Sequence, residues 1–467
     1  MLIITNKWLT KSMTHYFAHN ILLKSGWHSD VRLKVAPDGC LASIQPNVNR
    51  QADDITLNGT VIPAMTNCHS HAFQRAFAGL TERHSGAHDS FWSWRDMMYR
   101  FVAQLTPEDC QIIALQLYIE MLKAGYSRVG EFHYLHHDQN GQAYSDSLLM
   151  SRQVIQAAKD SGLRMTLLPV MYEYAGFAKQ QADEGQKRFI NSLDDYQKML
   201  AALTKEYPSL KIGVTPHSLR AVDIKDIKEL HTNYGKQHPF HIHIAEQEGE
   251  VAQCLSCTQK RPVEYLYDNL DVSSHWTLIH ATHLHNQEAQ RVIESGAVIG
   301  LCPTTEANLG DGLFNSQAST VNELRWAIGS DSHVSIDPFE ELRWYEYGQR
   351  LQTKQRAVLA DSETGSVGQR LWQTATSAGN QSLQGNADSL TIGQDADFLV
   401  LDNEHPSLVS LPAGQSLDAA IFSARNKITI KDVYIGGEKI IDNGVHPLEQ
   451  QSLADYKQLM SRLLSTI

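Results

Sequence analysis

The sequence has no long apolar run of the kind that crosses a membrane. Nowhere in its 467 residues do about 18 uncharged apolar residues follow one another, so we expect no transmembrane helix. The opening segment, MLIITNKWLTKSMTHYF, also lacks an apolar core of the length typical of a signal peptide. We therefore expect a protein that is neither exported nor inserted into a membrane, and we place it in the cytoplasm.

The sequence is also poor in cysteine. Scattered thiols in a long chain favour a reduced, cytoplasmic protein over a disulfide framework. The CLSC segment at 254–257 has a spacing seen in zinc and redox sites, but no second cysteine pair lies near it and its flanks predict a helix. We interpret it as two thiols on a helix. The six cysteines are Cys40, Cys68, Cys110, Cys254, Cys257 and Cys302.

Positive charge is in deficit. The chain has 40 lysines and arginines against 52 aspartates and glutamates, which gives a net charge of -12. Nucleic acids and anionic membranes are bound by basic surfaces, so neither is an expected partner. The apolar fraction of 42% and the charged fraction of 20% are typical of a soluble globular protein. Any basic side chains that bind an anionic ligand must therefore be concentrated at one site.

The two ends of the chain have the pattern of short strands separated by turns. We expect residues 1–62 and 388–467 to form one small composite β-sandwich domain, with a terminal helix in LADYKQLMSRLLST. The strand candidates at the N-terminal end are FAHNILL, DVRLKV, CLASIQP and ADDITLNG, and those at the C-terminal end are DADFLVLD, AAIFS, DVYIGG and EKIIDNG.

Residues 63–387 alternate apolar strands with helical stretches, which is typical of parallel βα-repeated folds. Eight strands are the number that closes a (β/α)8 barrel, whose active site lies at the C-terminal ends of its strands. In each candidate, the ionisable residues gather at that end. The eight candidates are TVIPAMTN, YSRVGEFHYL, RMTLLPVMY, KIGVTPHS, FHIHIAE, HWTLIHATHL, AVIGLCPTT and RWAIGSDSH.

Four strand ends carry residues that can bind a metal. Because side chains alternate along a strand, His69 and His71 face the same side, although such a pair alone is weak evidence in a chain with 22 histidines. The fifth strand repeats the spacing with His241 and His243, the sixth ends at His280, and the eighth ends at Asp331. Nitrogen and oxygen donors of this kind suit Zn²⁺, so the sequence predicts a metal site at the barrel mouth.

These segments resemble those of the amidohydrolase superfamily, whose barrel carries H-x-H on strand one, histidines on strands five and six, and an aspartate on strand eight. The resemblance runs from about Phe17 to the C-terminal region; residues 1–11 fall outside it, and Met13 is a candidate start of translation. It is greatest to the members that deiminate N-formimidoyl-L-glutamate. The segments that carry it are NCHSHAFQRAFAGLTE, FWSWRDMMYR, GEFHYLHHD, TPHSLRAV, HIHIAEQ, CPTTEANLGDG, GSDSH and DADFLVLD.

The resemblance implies a metal-dependent hydrolase with one Zn²⁺ per subunit, Fe²⁺ or Mn²⁺ being alternatives. Binuclear members of the superfamily use a carboxylated lysine at the end of strand four, whereas Lys211 lies at the beginning of that strand here. We therefore expect one metal. The ligands implied by the resemblance are His69, His71, His243 and Asp331.

The resemblance also implies the catalytic roles. Asp331 and His280 would take a proton from water and stabilise the tetrahedral intermediate, and Glu246 would pass a proton to the departing nitrogen. Read alone, Glu246 could be a surface carboxylate. Its position three residues after His243 favours the functional role.

The implied substrate, N-formimidoyl-L-glutamate, has two carboxylates and needs local cations. Arginine binds carboxylates through paired planar donors, and Arg220 and Arg95 are the candidates. Gln74 and Tyr134 are further candidate contacts. Without the resemblance, Arg95 between Trp92 and Trp94 would be interpreted as a packed surface arginine.

Other histidines and functions remain as alternatives. The resemblance assigns no ligand to strand two, so His133, His136 and His137 are expected to be scaffold or surface residues. His217 and His333 are candidates for orienting ligands or substrate, the role of His241 stays open, and EANLGDG at 306–312 is expected to be a loop over the site.

The rival functions are deamination of a purine, pterin or s-triazine amine, and a non-catalytic scaffold that retains the barrel. The resemblance further implies a homodimer.

Overall fold

The computed structural model describes residues 12–82, 91–235, 237–314, 323–383, 390–424 and 429–465. Within these ranges the chain forms two sheet systems, one from its ends and one from its middle. The strands are β1 (Thr14–Leu23), β2 (Gly26–Val35), β3 (Leu41–Gln45), β4 (Ile55–Pro63), β5 (Met65–Ser70), β6 (Tyr126–His133), β7 (Arg164–Met171), β8 (Lys211–Ile212), β9 (Thr215–Pro216), β10 (Phe240–Ile244), β11 (Trp276–His280), β12 (Val298–Leu301), β13 (Arg325–Ile328), β14 (Phe398–Leu401), β15 (Ile430–Ile435) and β16 (Glu438–Ile441).

The helices are placed mainly between the strands of the middle segment, as a βα-repeated fold requires. They are α1 (Phe91–Val102), α2 (Pro107–Ala124), α3 (Leu149–Ser161), α4 (Leu193–Glu206), α5 (Ile224–Tyr234), α6 (Glu248–Thr258), α7 (Pro262–Asn269), α8 (Asn286–Ser295), α9 (Pro303–Leu309), α10 (Pro338–Thr353), α11 (Val367–Ser382), α12 (Ala413–Phe422) and α13 (Glu449–Leu464).

Local sequence signals fix the ends of several helices. In α2, the Thr106 side chain accepts from the backbone N–H of Asp109, Asp109 accepts from the Thr106 N–H, and Pro107 occupies the first turn. This is a capping box with a proline where the missing N–H costs nothing. Gly125 ends the helix at φ 102°, a conformation that glycine adopts readily, and β6 begins at the next residue.

The chain ends join in a single seven-stranded sheet of order β16-β15-β14-β4-β1-β2-β3. Strand β4 from the N-terminal end pairs antiparallel with β14 from the C-terminal end. The sheet has a hydrophobic core of its own, separate from the large core of the barrel. The expected composite domain is therefore assembled from both ends, while its boundary at 62 and 63 stays a prediction and that at 387 and 388 lies outside the described residues.

The middle of the chain forms the expected (β/α)8 barrel. Its strands run in the order β5-β6-β7-β8 and β10-β11-β12-β13, with β9 continuing β8 against β7. Isolated bridges join the two halves, from Val214 to Phe240 and from Ser218 to His243 on one side and from Ser70 to Asp331 on the other. The fourth strand is thus an interrupted one, and the closing bridge places two candidate site segments side by side.

Two expectations about individual strands are wrong. TVIPAMTN is not one strand, because the chain passes at Ala64 from β4 of the small sheet to β5 of the barrel. AAIFS is not a strand either, since it lies in α12, where Leu417, Ala420 and Ile421 are buried at helical spacing. The segment 306–312 is also not wholly a loop, because its first four residues end α9.

Candidate metal centre and active site

The structure brings the four residues of the expected metal site to one point. The Nε2 atoms of His243 and His69 are 3.0 Å apart. The Oδ1 atom of Asp331 lies 3.1 Å from Nε2 of His71 and 3.4 Å from Nε2 of His69. All four side chains are buried, and their donor atoms lie within 4.8 Å of one another. Three imidazoles and one carboxylate are a donor set typical of zinc.

The hydrogen bonds around this cluster fit a bound cation. Nδ1 of His71 donates to the Phe132 carbonyl at 2.9 Å, and Nδ1 of His243 donates to the His217 carbonyl at 3.1 Å. Each ring therefore turns an unprotonated Nε2 towards the centre. Burial lowers the pKa of His69 to about 3 and that of His243 well below its usual value, so both rings stay neutral, as metal ligands must.

Asp331 uses its two oxygens differently. Oδ1 faces the histidine cluster, whereas Oδ2 lies 3.7 Å from Nε2 of His280. The same His280 nitrogen is 3.9 Å from Oε1 of Glu246, so the imidazole stands between two carboxylates. Its Nδ1 is held by Oε1 of Glu306 at 3.3 Å. Asp331 and Glu246 can therefore each exchange a proton with a molecule bound at the centre of the cavity.

The pKa values of Glu246, His280 and Asp331 are shifted by burial and by the charges of their neighbours. Burial raises the pKa of Glu246, and Asp331 and Glu306 add to the rise against the opposing charge of His280. Burial opposes a charge on His280, but Glu246, Glu306 and Asp331 outweigh it and raise its pKa to about 10. Burial also opposes ionisation of Asp331, yet the adjacent imidazoles of His69 and His71 hold its pKa well below the usual range. The site thus combines an ionised Asp331, a cationic His280 and a Glu246 that retains its proton more readily.

Strained backbone marks three of the strand ends. Ala245 after β10, His280 and Ala281 at the end of β11, and Asp331 after β13 all have positive φ, between 43° and 66°. Such conformations cost on the order of 1–3 kcal/mol in residues other than glycine and persist where the surroundings enforce them. Their clustering at the barrel mouth is typical of an active site.

The four expected substrate contacts line one cavity with the catalytic group. The cavity is lined by His71, His243, Glu246, His280 and Asp331. Gln74, Arg95, Tyr134 and Arg220 line the same cavity.

All four of these contacts have defined surroundings. Nε2 of Gln74 donates to the Tyr134 hydroxyl at 2.8 Å, which fixes both side chains. The Arg95 guanidinium lies over the Tyr99 ring at 5.4 Å from its centroid. Nε of Arg220 is buried without a hydrogen-bond partner among the described residues, so this cation is available to a ligand.

Several cavity residues were not predicted from the sequence. Tyr172, which follows the end of β7, and Phe189 add aromatic lining. Outside the cavity lining, Glu306 lies in the segment expected to be a loop, and Glu131 is buried behind His71 on a strand that was expected to supply no metal ligand. A glutamate next to an H-x-H segment in space, but distant in sequence, gives no local signal.

The other histidines lie outside the cluster. His133 is buried, His136 donates to the Val170 carbonyl and His137 to the Ile190 carbonyl, and none of the three is among the metal donors. His241 donates to the Ser382 carbonyl at 2.8 Å and is not part of the metal cluster. His217 does line the cavity, with its ring stacked on that of His243.

The remaining sequence expectations concern cysteines and the membrane. The CLSC segment lies on α6 as predicted, with Cys254 buried and Cys257 exposed. Among the described residues, no helix has both the length and the apolar character needed to span a bilayer.

Comparison with family models gives two matches. Residues 60–440 match the model described as "Amidohydrolase family", which covers most of the chain. Residues 13–56 match "Formimidoylglutamate deiminase HutF, N-terminal domain".

Two curated relatives differ in how much sequence they share with this chain. The chain is 44% identical over 454 residues to "Formimidoylglutamate deiminase" of Pseudomonas aeruginosa, covering 97% of this chain and 100% of the relative. It is 23% identical to "5'-deoxyadenosine deaminase" of Methanobrevibacter smithii, over 82% of this chain and 81% of the relative.

Solved structures share the fold. The crystal structure of an amidohydrolase from Brucella melitensis superposes with a TM-score of 0.91 at 40% identity, covering 97% of this chain and 100% of that one. An adenosine deaminase from Xanthomonas campestris with bound zinc gives a TM-score of 0.78 at 17% identity, covering 97% and 98%. The second likeness concerns the fold alone.

Proposed function

The chain belongs to the amidohydrolase family, and on this basis we propose that it hydrolyses N-formimidoyl-L-glutamate to N-formyl-L-glutamate and ammonia in histidine degradation. The observation that carries this function is the cavity. Arg95 and Arg220 line the same cavity as the histidine and carboxylate cluster, so a dicarboxylate can be held by the arginines while its other end reaches the cluster. The relative that is 44% identical over nearly the whole chain supports the same substrate.

One divalent metal ion per subunit is part of the proposal, with zinc favoured and Fe²⁺ or Mn²⁺ as alternatives. The residues that would hold it are His69, His71, His243 and Asp331. A metal ion bound by such donors supplies Lewis acidity and lowers the pKa of water towards 7.

The side chains of the cavity account for the proton transfers. Oδ2 of Asp331 is placed to accept a proton as water adds to the formimidoyl carbon. The charged His280 stabilises negative charge on the oxygen of the tetrahedral carbon. Glu246 then donates a proton to the imino nitrogen, and the proton that Asp331 took from water follows it, so that the nitrogen becomes an ammonium leaving group. The hydroxyl on the tetrahedral carbon returns a proton to Glu246 as the C–N bond breaks, the formyl C=O forms and ammonia leaves.

The arginines, Gln74 and Tyr134 have a binding role in this scheme. Two guanidinium groups can each bind one carboxylate of the substrate, and the Gln74 amide, which is fixed by its bond to Tyr134, adds a directional contact. Holding the two carboxylates places the formimidoyl carbon at the cluster, which lowers the entropic part of the barrier.

The direct test is to incubate the metal-loaded protein with N-formimidoyl-L-glutamate and measure ammonia and N-formylglutamate. We expect equal amounts of both products. The same assay should include 5′-deoxyadenosine, because the aromatic lining of Trp94, Tyr99, Tyr172 and Phe189 favours a heterocycle as the second candidate. Release of ammonia from the nucleoside alone would reject the proposed substrate.

Removal of the metal is expected to abolish the activity and to lower thermal stability. Because a ligand at 100 times its Kd stabilises the folded state by about 2.7 kcal/mol, the shift is large enough to measure by calorimetry. Restoring Zn²⁺ should restore both properties, whereas Ca²⁺ should not, since it prefers sites made of oxygen ligands. Full activity in protein shown to contain no metal would contradict the proposed centre.

Replacing Arg220 with methionine is expected to raise KM for the dicarboxylate roughly 10- to 100-fold, because a hydrogen bond to a charged group contributes about 1.5–3 kcal/mol. Lysine at this position should recover only part of the loss, since it lacks the paired planar donors. Arg152→Met is the matched control, because Arg152 is bound to Asp146 and Glu206 away from the cavity. An unchanged KM in the Arg220 variant would remove Arg220 from the carboxylate site.

We also propose that the protein acts in the cytoplasm as a homodimer. The six free cysteines support a reducing compartment, and size-exclusion chromatography with light scattering measures the oligomeric state.

A further inference from the structure

Three consecutive residues of the H-x-H segment are held by two consecutive residues of β6. The Ser70 hydroxyl donates to Oε2 of Glu131 at 2.8 Å, and the Ala72 backbone N–H donates to Oε1 of the same carboxylate at 2.7 Å. Between them, Nδ1 of His71 donates to the Phe132 carbonyl at 2.9 Å. The ligand His71 is therefore fixed both through its ring and through the residues on either side of it.

These hydrogen bonds lie where the regular pairing between β5 and β6 is interrupted. Asn67 pairs with Val129 and Ser70 with Glu131, so three steps along β5 are matched by two along β6. The bulge lies at Cys68 and the ligand His69, and bulges leave backbone groups without regular ladder partners. The Glu131 carboxylate supplies acceptors at the end of this interruption.

The same carboxylate ends a chain of hydrogen bonds that reaches the eighth strand. Asn67 donates from Nδ2 to Ser330 Oγ at 2.7 Å, and Ser330 Oγ lies 3.0 Å from Nδ1 of His333. Nε2 of His333 lies 3.3 Å from Ser70 Oγ, whose hydroxyl donates to Glu131. A consistent direction of donation runs from Asn67 to Glu131, and it requires a group at the end that only accepts.

The chain of hydrogen bonds spans two of the three backbone segments that carry ligands. Beside it, the His71 N–H donates to the Asp331 carbonyl at 3.2 Å and the Asp331 N–H donates to the His69 carbonyl at 3.1 Å. Glu131 thus anchors one segment directly and the other through Ser70 and His333. It is not among the residues that line the cavity or among the four metal donors.

From this arrangement we propose that Glu131 is a positioning residue for the metal centre, which holds the H-x-H segment against Asp331 and so sets the affinity for the metal. The inference rests on the proposed metal site and adds to it a residue that does not bind the ion. Glu131 is 1% exposed, and a buried carboxylate is costly unless its oxygens are hydrogen-bonded. Its two donors come from Ser70 and Ala72, on the two sides of a ligand.

The test is the Glu131→Gln variant, with Zn²⁺ affinity measured by competition with a chromophoric chelator. The amide cannot accept from both donors, so we expect affinity to fall roughly 10- to 100-fold, as is typical when partners of metal ligands are removed. Ser70→Ala, a second and milder variant, should also weaken binding. Because the two changes break the same hydrogen bond, the double variant should lose less than the product of the single losses.

Glu341→Gln is the matched control. Glu341 is equally buried and also accepts from one backbone N–H and one hydroxyl, both of Thr304, but neither of these donors belongs to a ligand-bearing segment. We expect it to lower the unfolding temperature of the metal-free protein without changing Zn²⁺ affinity.

Unchanged affinity in both the Glu131 and the Ser70 variants would overturn the proposal, and so would an equal loss in the Glu341 control. Zn²⁺ affinity is measured in the absence of substrate, so this test does not depend on the proposed reaction. If the wild-type protein binds Zn²⁺ but releases no ammonia, the proposed substrate is wrong and the role of Glu131 is still decided.

Discussion

Asp331→Asn is expected to reduce ammonia release from N-formimidoyl-L-glutamate to near the background rate. One side-chain oxygen of Asp331 lies against the histidine cluster and the other lies near His280. Asparagine keeps only one of these oxygens. If that oxygen faces the histidines, an amide group faces His280 and cannot accept a proton from water. Loss of a general base alone costs about 10²- to 10⁴-fold in rate, and weaker metal binding adds to it.

The measurement is kcat together with metal content per subunit. Asp337→Asn is the matched control, because Asp337 lies six residues on and accepts from the Phe339 N–H at the start of α10. Asparagine caps helices as well as aspartate does, so this variant should keep its rate and its stability. An Asp331→Asn protein with metal bound and a rate within tenfold of wild type would contradict the assigned role.

Residues at strand ends are the part of the site that sequence reasoning could reach. His69 and His71 are separated by one residue, so the two-residue period of a strand is enough to place them on one face. His243, His280 and Asp331 could be added because parallel strands of a barrel end at the same edge. The structure brings these residues together, although which of them acts in catalysis stays a prediction.

Carboxylates that are buried behind the site could not be found in this way. Glu131, Glu306 and Glu341 are each almost fully buried, whereas glutamate is normally a surface residue. Their partners lie 61, 26 and 37 residues away in the chain, so no local pattern connects them. Only the closure of the barrel brings donor and acceptor together.

The predictions of two strands were wrong for a related reason. An apolar stretch such as TVIPAM can continue one strand or pass between two sheets, and the difference depends on which strands lie beside it. Here Pro63 pairs with Phe398 of the small sheet, while Met65 pairs with Tyr126 of the barrel. The segment with AAIFS was similarly ambiguous, because a short apolar run has no period that separates helix from strand.

Glu246→Gln is expected to lower kcat about 10²- to 10⁴-fold while metal content stays at the wild-type value. Glu246 is 7% exposed and lies 3.9 Å from Nε2 of His280, but it is not one of the four metal donors. Glutamine has nearly the same shape and can still form hydrogen bonds, yet it cannot pass a proton to the imino nitrogen. Without that proton, the nitrogen would have to leave as a strongly basic anion.

The neighbouring Glu250→Gln variant separates proton transfer from the support of the local backbone. Glu250 accepts from the N–H groups of Ala245 and Glu246 and so holds the strained turn after β10. We expect its replacement to affect stability more than rate, whereas the Glu246 variant should fold normally and fail in catalysis. Equal losses of kcat in the two variants would mean that Glu246 acts through the shape of the turn, and the proton would have to reach the leaving nitrogen from another group, such as the adjacent His280.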